Sequence, residues 1–298
     1  MKTALFSWIY PILAALIFLV AAHHKSFAGD HPNSLRNCQR VVTLSPALGR
    51  VAFDILGPRE FQERVVGVSS HTQLPSSQLI PQVASVVSLN IERILSLRPD
   101  CIFEAPGVLR RDRVEVLRSM TKRAKFDVDM LSLSMDRLRD IPQTYREMSK
   151  RFGKVEKAEE LIRVFEARLR GLAGKLKGSR LLVQVDDEPL IVLGGAASFL
   201  SDSLEYLGAE NVFSQMKEPY PRVSLEAARA SQATELWILG EPDHQERYHR
   251  MAEAWRRRFP SWDLVKKNRI RVILSSEITQ PVLDFAKSLD QVVMHESP

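Results

Sequence analysis

Residues 155–176 carry apolar side chains at Val155, Ala158, Leu161, Ile162, Phe165, Leu169, Leu172 and Leu176. Steps of three and four put these positions on one stripe of a helix. At 1.5 Å per residue the stretch is roughly 33 Å long, enough to bridge two lobes. An ordinary surface helix of a single domain fits the same stripe, so the flanks decide. Before it, short β-branched runs alternate with helical segments: 40–45, a helix over 47–56 closed by Gly57-Pro58, 64–69, a strand around 83–87, a helix capped by Asn90, 101–103, a helix over 112–121 and a strand over 126–131. After it the alternation restarts with strands at 181–185 and 190–193. The turn Gly194-Gly195, a helix over 198–207, a second opened by Ser224, strands at 235–239 and 270–274, and a helix over 282–292 complete it. Strands alternating with helices predict parallel sheets covered on both faces. The expected architecture is α/β: two Rossmann-like lobes with central parallel sheets, joined by one long interlobe helix, with a ligand cleft between them. The expected boundaries are 38–153 for the first lobe, 154–177 for the helix and 178–298 for the second lobe.

Residues 1–28 have another character. Met1-Lys2 precedes an apolar run over 4–22, broken by Ser7 and Pro11, and the small-residue site Ser26-Phe27-Ala28 follows. That is the order of a cleavable secretory signal, cut at Ala28 or at Ala22, and it predicts a periplasmic protein. An uncleaved membrane anchor is the competing reading of the same run. No cysteine follows it, which closes the lipoprotein route. The net charge is +6; residues 1–28 hold Lys2 and Lys25 and no acid, which leaves +4 for the rest. No basic stripe with interleaved aromatics is present, so a nucleic-acid partner is not expected. Cys38 and Cys101 both fall at the start of predicted first-lobe strands. In an oxidising compartment they form either a disulfide or two buried thiols.

Four segments, in order, resemble a known family. They are Arg40-Val-Val-Thr-Leu-Ser-Pro-Ala47 with Ala52-Phe53; Val66-Gly-Val-Ser-Ser70 with Pro75; Leu89-Asn-Ile-Glu-Arg-Ile-Leu-Ser-Leu-Arg-Pro-Asp100; and Leu204-Glu-Tyr-Leu-Gly-Ala-Glu-Asn-Val-Phe213 leading to Tyr220-Pro-Arg-Val-Ser-Leu-Glu226. From about residue 40 to 292 the chain is similar to the helix-linked periplasmic solute-binding proteins of ABC importers, nearest the cobalamin and iron-siderophore branch. The resemblance implies a stiff, monomeric binder with no permanently bound cofactor. Its ligand is expected to be a corrinoid, with a ferric siderophore or haem as the alternative. It also implies that Glu92 and Glu226 dock onto the permease dimer, where charge-assisted pairing would fix orientation. First-turn helix glutamates are also favoured by the helix dipole alone.

The resemblance places the cleft at His71, Val86, Ala105 and Tyr220, where relatives grip cobalamin with aromatic rings. Only Tyr220 keeps an aromatic wall, and His71 half-keeps one. Glu277 falls near a polar cleft position on the last strand-to-helix loop. His71 has the chemistry to bond a ligand amide or phosphate, or to supply an axial nitrogen to a corrinoid or haem metal. Other classes fit less well. A free-metal binder needs three or four converging ligands. Beyond residue 28 the histidines are His31, His71, His244, His249 and His295; two lie at the ends, and His244 and His249 are five apart, off a shared helix face. Gly-x-Gly-x-x-Gly, Gly-x-Ser-x-Gly and the phosphate loop are absent, so no enzyme motif stands out. The cluster Asp186-Asp187-Glu188 is expected to be an acidic loop. A scaffold that keeps the fold without transport is the remaining alternative, and the exposure of Glu92 and Glu226 bears on it.

Overall fold

A computed structural model describes residues 37–74, 79–85, 88–187, 190–195 and 198–294. The segment read as a signal, together with His31, Val86 and His295, lies outside them.

The first lobe is built on β1 (Val41–Thr43), α1 (Pro46–Arg64), β2 (Val65–Ser69), β3 (Gln82–Ala84), α2 (Ile91–Ser96), β4 (Cys101–Glu104), α3 (Arg111–Arg123), β5 (Asp129–Ser132) and α4 (Asp140–Phe152). Its sheet runs β3-β2-β1-β4-β5 with every pairing parallel. Val41, Val42, Ile102 and Phe103 are buried, as strands covered on both faces require. Ser45 caps α1, its hydroxyl accepting from the Leu48 amide at 3.2 Å. The break read at Gly57-Pro58 is a kink inside α1: Gly57 has φ 72°, a left-handed conformation that costs glycine little, and Pro58 restarts the helix. Cys38 and Cys101 are joined by a disulfide with Cα atoms 5.7 Å apart, tying the lead into β1 to the neighbouring strand β4.

The linking helix α5 spans Val155–Leu172, 18 residues or about 27 Å. It is shorter than the apolar stripe. After Leu172 the chain turns through Gly174 (φ 71°), and the amides of Gly174 and Leu176 donate to the carbonyls of Tyr206 and Leu207. Leu176 stays buried, so the stripe continues as packing after the helix has ended.

The second lobe follows with β6 (Arg180–Asp187), β7 (Leu190–Val192), α6 (Phe199–Tyr206), β8 (Glu210–Asn211), α7 (Leu225–Ala230), β9 (Glu235–Gly240), α8 (Gln245–Arg258), α9 (Asp263–Lys266), β10 (Ile270–Leu274) and α10 (Phe285–Met294). The order is β10-β9-β6-β7, with β8 also on β6. All pairings are parallel except β6–β7, an antiparallel edge hairpin. Arg247 on α8 forms ion pairs with Asp186 and Asp187, so the acidic pair at this hairpin is bound to a neighbouring helix.

One hydrophobic cluster crosses the whole unit. It takes in Leu48 and Val51 of α1, Phe152 of α4, Ile162, Phe165 and Leu169 of α5, Phe199 of α6 and Phe285 of α10. Polar links run beside it. Arg137 pairs with Asp202 at 2.9 Å, and Arg50 pairs with Asp284 at 2.5 Å. The buried Tyr145 hydroxyl donates to Asp54 at 2.5 Å and accepts from the Leu283 amide at 3.4 Å.

Candidate ligand-binding cleft

The two sheets deliver their carboxyl ends to one place. In the first sheet the strand order reverses beside β1, the point at which open α/β sheets form a crevice. Ser45, Pro46 and Ala47 follow β1; Ala105 to Val108 follow β4; His71 follows β2; Met135 and Asp136 follow β5. From the second lobe come Ser198 and Phe199, which open α6, Pro219 and Tyr220, which follow β8, and Thr279, Gln280 and Pro281, which follow β10. Together these residues line a cavity of about 570 Å³. That volume and a mainly apolar wall with a few polar groups are what a small-molecule site requires.

His71, Ala105 and Tyr220, three of the positions singled out in the sequence, stand on this wall. Glu277 does not; its carboxylate accepts from the Ser275 hydroxyl at 3.0 Å, close behind the wall residues Thr279 and Gln280. His71 is exposed and has φ 62°, a left-handed conformation that histidine tolerates better than most residues but that the surrounding turn has to hold. Thr72 holds it, its amide and hydroxyl both donating to the Ser69 carbonyl. Tyr220 is exposed at its edge, 42% of its surface being open, yet desolvation by the cleft, and then the nearby charge of Asp136, raise its pKa above that of a free phenol.

The Gly194-Gly195 pair has a role that its sequence did not disclose. The loop carrying Tyr220 is laid onto it by backbone bonds. The Val192 amide donates to Pro221, Gly194 to Pro219 and Gly195 to Met216, at 2.9 to 3.1 Å. The Asn211 side-chain amide donates to the carbonyls of Leu193 and Gly194 from the other side. A Cβ on Gly194 would lie 2.0 Å from the Glu218 carbonyl oxygen, and one on Gly195 would lie 1.6 Å from that of Ser214. Both positions are glycine because the loop passes too close for a side chain. Asp136, Phe199 and Gln280 are wall residues that sequence patterns did not single out. Their one signal is position, a few residues beyond the end of a strand or at a helix start.

Glu92 and Glu226 occupy matching places, one per lobe. Each is in the first turn of a six-residue helix, α2 or α7. Each helix is capped by the side chain just before it: Asn90 accepts from the Arg93 amide at 2.9 Å, and Ser224 accepts from the Ala227 amide at 3.0 Å. Both glutamates are exposed. Arg258 approaches Glu226 at 3.7 Å.

Two α/β lobes on a connecting helix, with a cavity at their facing strand ends, define a two-lobed binding protein. The chain belongs to the periplasmic binding protein family, whose pattern it matches over residues 41–275. It is 29% identical over 211 residues to the vitamin B12-binding protein of Pectobacterium carotovorum subsp. carotovorum (strain PC1), covering 69% of this chain and 72% of that one. Its fold is similar to that of the periplasmic vitamin B12 binding protein BtuF of Vibrio cholerae, with a TM-score of 0.73, 21% identity and coverage of 87% and 96%. It is also similar to the periplasmic heme binding protein HutB of Vibrio cholerae, with a TM-score of 0.70, 16% identity and coverage of 87% and 99%.

Proposed function

We propose that this chain is the substrate-binding subunit of an ABC importer, that it is exported by residues 1–28, and that it captures a corrinoid between lobes spanning 38–153 and 178–298. The observation that carries the reading is the cavity at the facing strand ends, apolar for most of its wall and flanked by Tyr220. The relatedness to a vitamin B12-binding protein supports the ligand. Tyr220 would pack its ring against the macrocycle, and His71 and Gln280 would bond its carboxamides.

Glu92 and Glu226 would carry the docking. Their matched placement in the two lobes supports a pair of contacts that set register on a two-fold permease. Replacing both with alanine is expected to abolish uptake in cells while leaving ligand affinity unchanged.

The direct test is titration of the protein lacking residues 1–28 with cobalamin, cobinamide, a ferric hydroxamate, a ferric catecholate and haem, read by intrinsic fluorescence and thermal shift. A corrinoid bound at micromolar Kd or tighter supports the reading, since saturating ligand raises the melting temperature. Binding of an iron chelate or haem alone keeps the transport role and replaces the ligand. Silence from every ligand refutes the substrate class. N-terminal sequencing of the exported protein tests the signal.

A further inference from the structure

The charge of the ligand can be read from the cavity wall, given the cleft reading above. Among the described residues the wall holds neither lysine nor arginine; its ionisable groups are Asp136, His71 and the Tyr220 phenol. Asp136 is exposed on the first lobe, and its field reaches Tyr220 on the second. Basic residues next to the wall in sequence are engaged elsewhere. Arg137 pairs with Asp202, and Arg110 pairs with Asp112 at 3.0 Å. Lys217 and Arg222 flank Pro219 and Tyr220 but do not contribute to the wall. Behind the second-lobe rim stand two more carboxylates, Glu241 and Glu277. The carboxyl of Glu241 is raised by burial and then by the charge of Glu277. Gln73 of the first lobe reaches Glu241 at 3.5 Å.

Two helix starts open on the cavity, and their dipoles favour negative charge. Each is satisfied in part from within. Ser45 takes the Leu48 amide, Pro46 has no amide hydrogen, and Ser198 takes the Ser201 amide at 3.0 Å. What remains is partial positive charge, suited to the carbonyl oxygen of a carboxamide. It does not amount to the full counter-charge that a buried carboxylate or catecholate requires.

We propose that this cleft selects its ligand by charge: it accepts neutral or cationic metal chelates, discriminates against anionic ones, and uses Asp136 as the selecting group. An anionic chelate entering the cavity loses hydration, finds no guanidinium or ammonium on the wall, and faces a carboxylate. A neutral chelate clad in amides meets hydroxyls, an imidazole and the Gln280 amide, and carries no negative charge for the Asp136 carboxylate to repel.

The test keeps ligand shape nearly constant and changes charge. One corrin is offered as its aquo (cationic), cyano (neutral) and sulfito (anionic) forms. Beside it run a cationic ferric hydroxamate, a neutral one and an anionic ferric catecholate. Affinities are measured at low and high salt on the wild type, Asp136→Asn and Asp136→Lys. The aquo form is expected to bind about tenfold more tightly than the sulfito form at low salt, with the gap shrinking as salt rises. Asp136→Asn should close most of the gap and Asp136→Lys should invert it. Asp136 is exposed, so unchanged melting temperatures would show that both variants fold. Equal affinities across a charge series, or a gap untouched by Asp136→Asn, overturn the proposal while leaving the corrinoid reading in place. The same charge order among hydroxamates and catecholates, with the corrins silent, supports the proposal and removes the corrinoid. Silence from both series overturns the cleft reading and this proposal with it.

Discussion

At the residue scale the most consequential group outside the cleft is Tyr145. It is fully buried, and its hydroxyl joins Asp54 of the first lobe to the Leu283 amide of the second. Tyr145→Phe leaves a half-buried carboxylate oxygen and a buried amide without that partner. The expected loss of stability is about 1–3 kcal/mol, measurable by urea unfolding. Asp54 itself gives a pH signature. Burial raises its pKa, against the opposing pull of Arg50 and Tyr145. The native state therefore holds this proton more tightly than the unfolded chain does. The stability it contributes is full below the unfolded carboxylate value of about 4 and is lost as pH rises through the higher native value. The stability difference between wild type and Asp54→Asn should accordingly fall as pH rises through that window. A difference that grows with pH there would contradict the sign. No motif marks Asp54 or Tyr145 in the sequence. Only the fold brings them together, 91 residues apart in the chain.

At the scale of elements, the Tyr220 loop depends on Gly194 and Gly195. Gly195→Ala forces the loop off by the Ser214 carbonyl, so Tyr220 shifts from the cleft wall. Ligand affinity should fall at least tenfold, whereas Ala substitution at the open Gly171 should leave it unchanged; titration of the two variants side by side checks this. The elements themselves were largely legible in the sequence. Side-chain periodicity, Gly57-Pro58 and the Ser and Asn caps all act locally, and their marks survive in one dimension. The end of α5 was not legible. Leu176 continues the stripe, but the chain has already left the helix, because the amides of Gly174 and Leu176 bond to the end of α6. The seat of the Tyr220 loop was equally hidden. Backbone-to-backbone bonds leave no side-chain pattern, and two adjacent glycines read first as a turn.

On the scale of the whole molecule, the lobes share one core. Phe165 of α5 is buried in the cluster that reaches from α1 to α10. Phe165→Ala should cost about 3–5 kcal/mol, and probes in either lobe should report the same single unfolding transition. Two separate transitions would mean that the core does not couple the lobes. The same core bears on timing. Lobes packed on a common interior are expected to close little, so a ligand should meet a slot that is already open. In stopped-flow mixing the observed rate should then climb linearly with ligand concentration, without the plateau that a rate-limiting closure imposes. Departure is a single step too, and the dwell time of a passenger is written in its contacts with the wall. To hurry it off, an outside machine has to spread the lobes, and it must do so against Phe165, Phe199 and Phe285 holding them together.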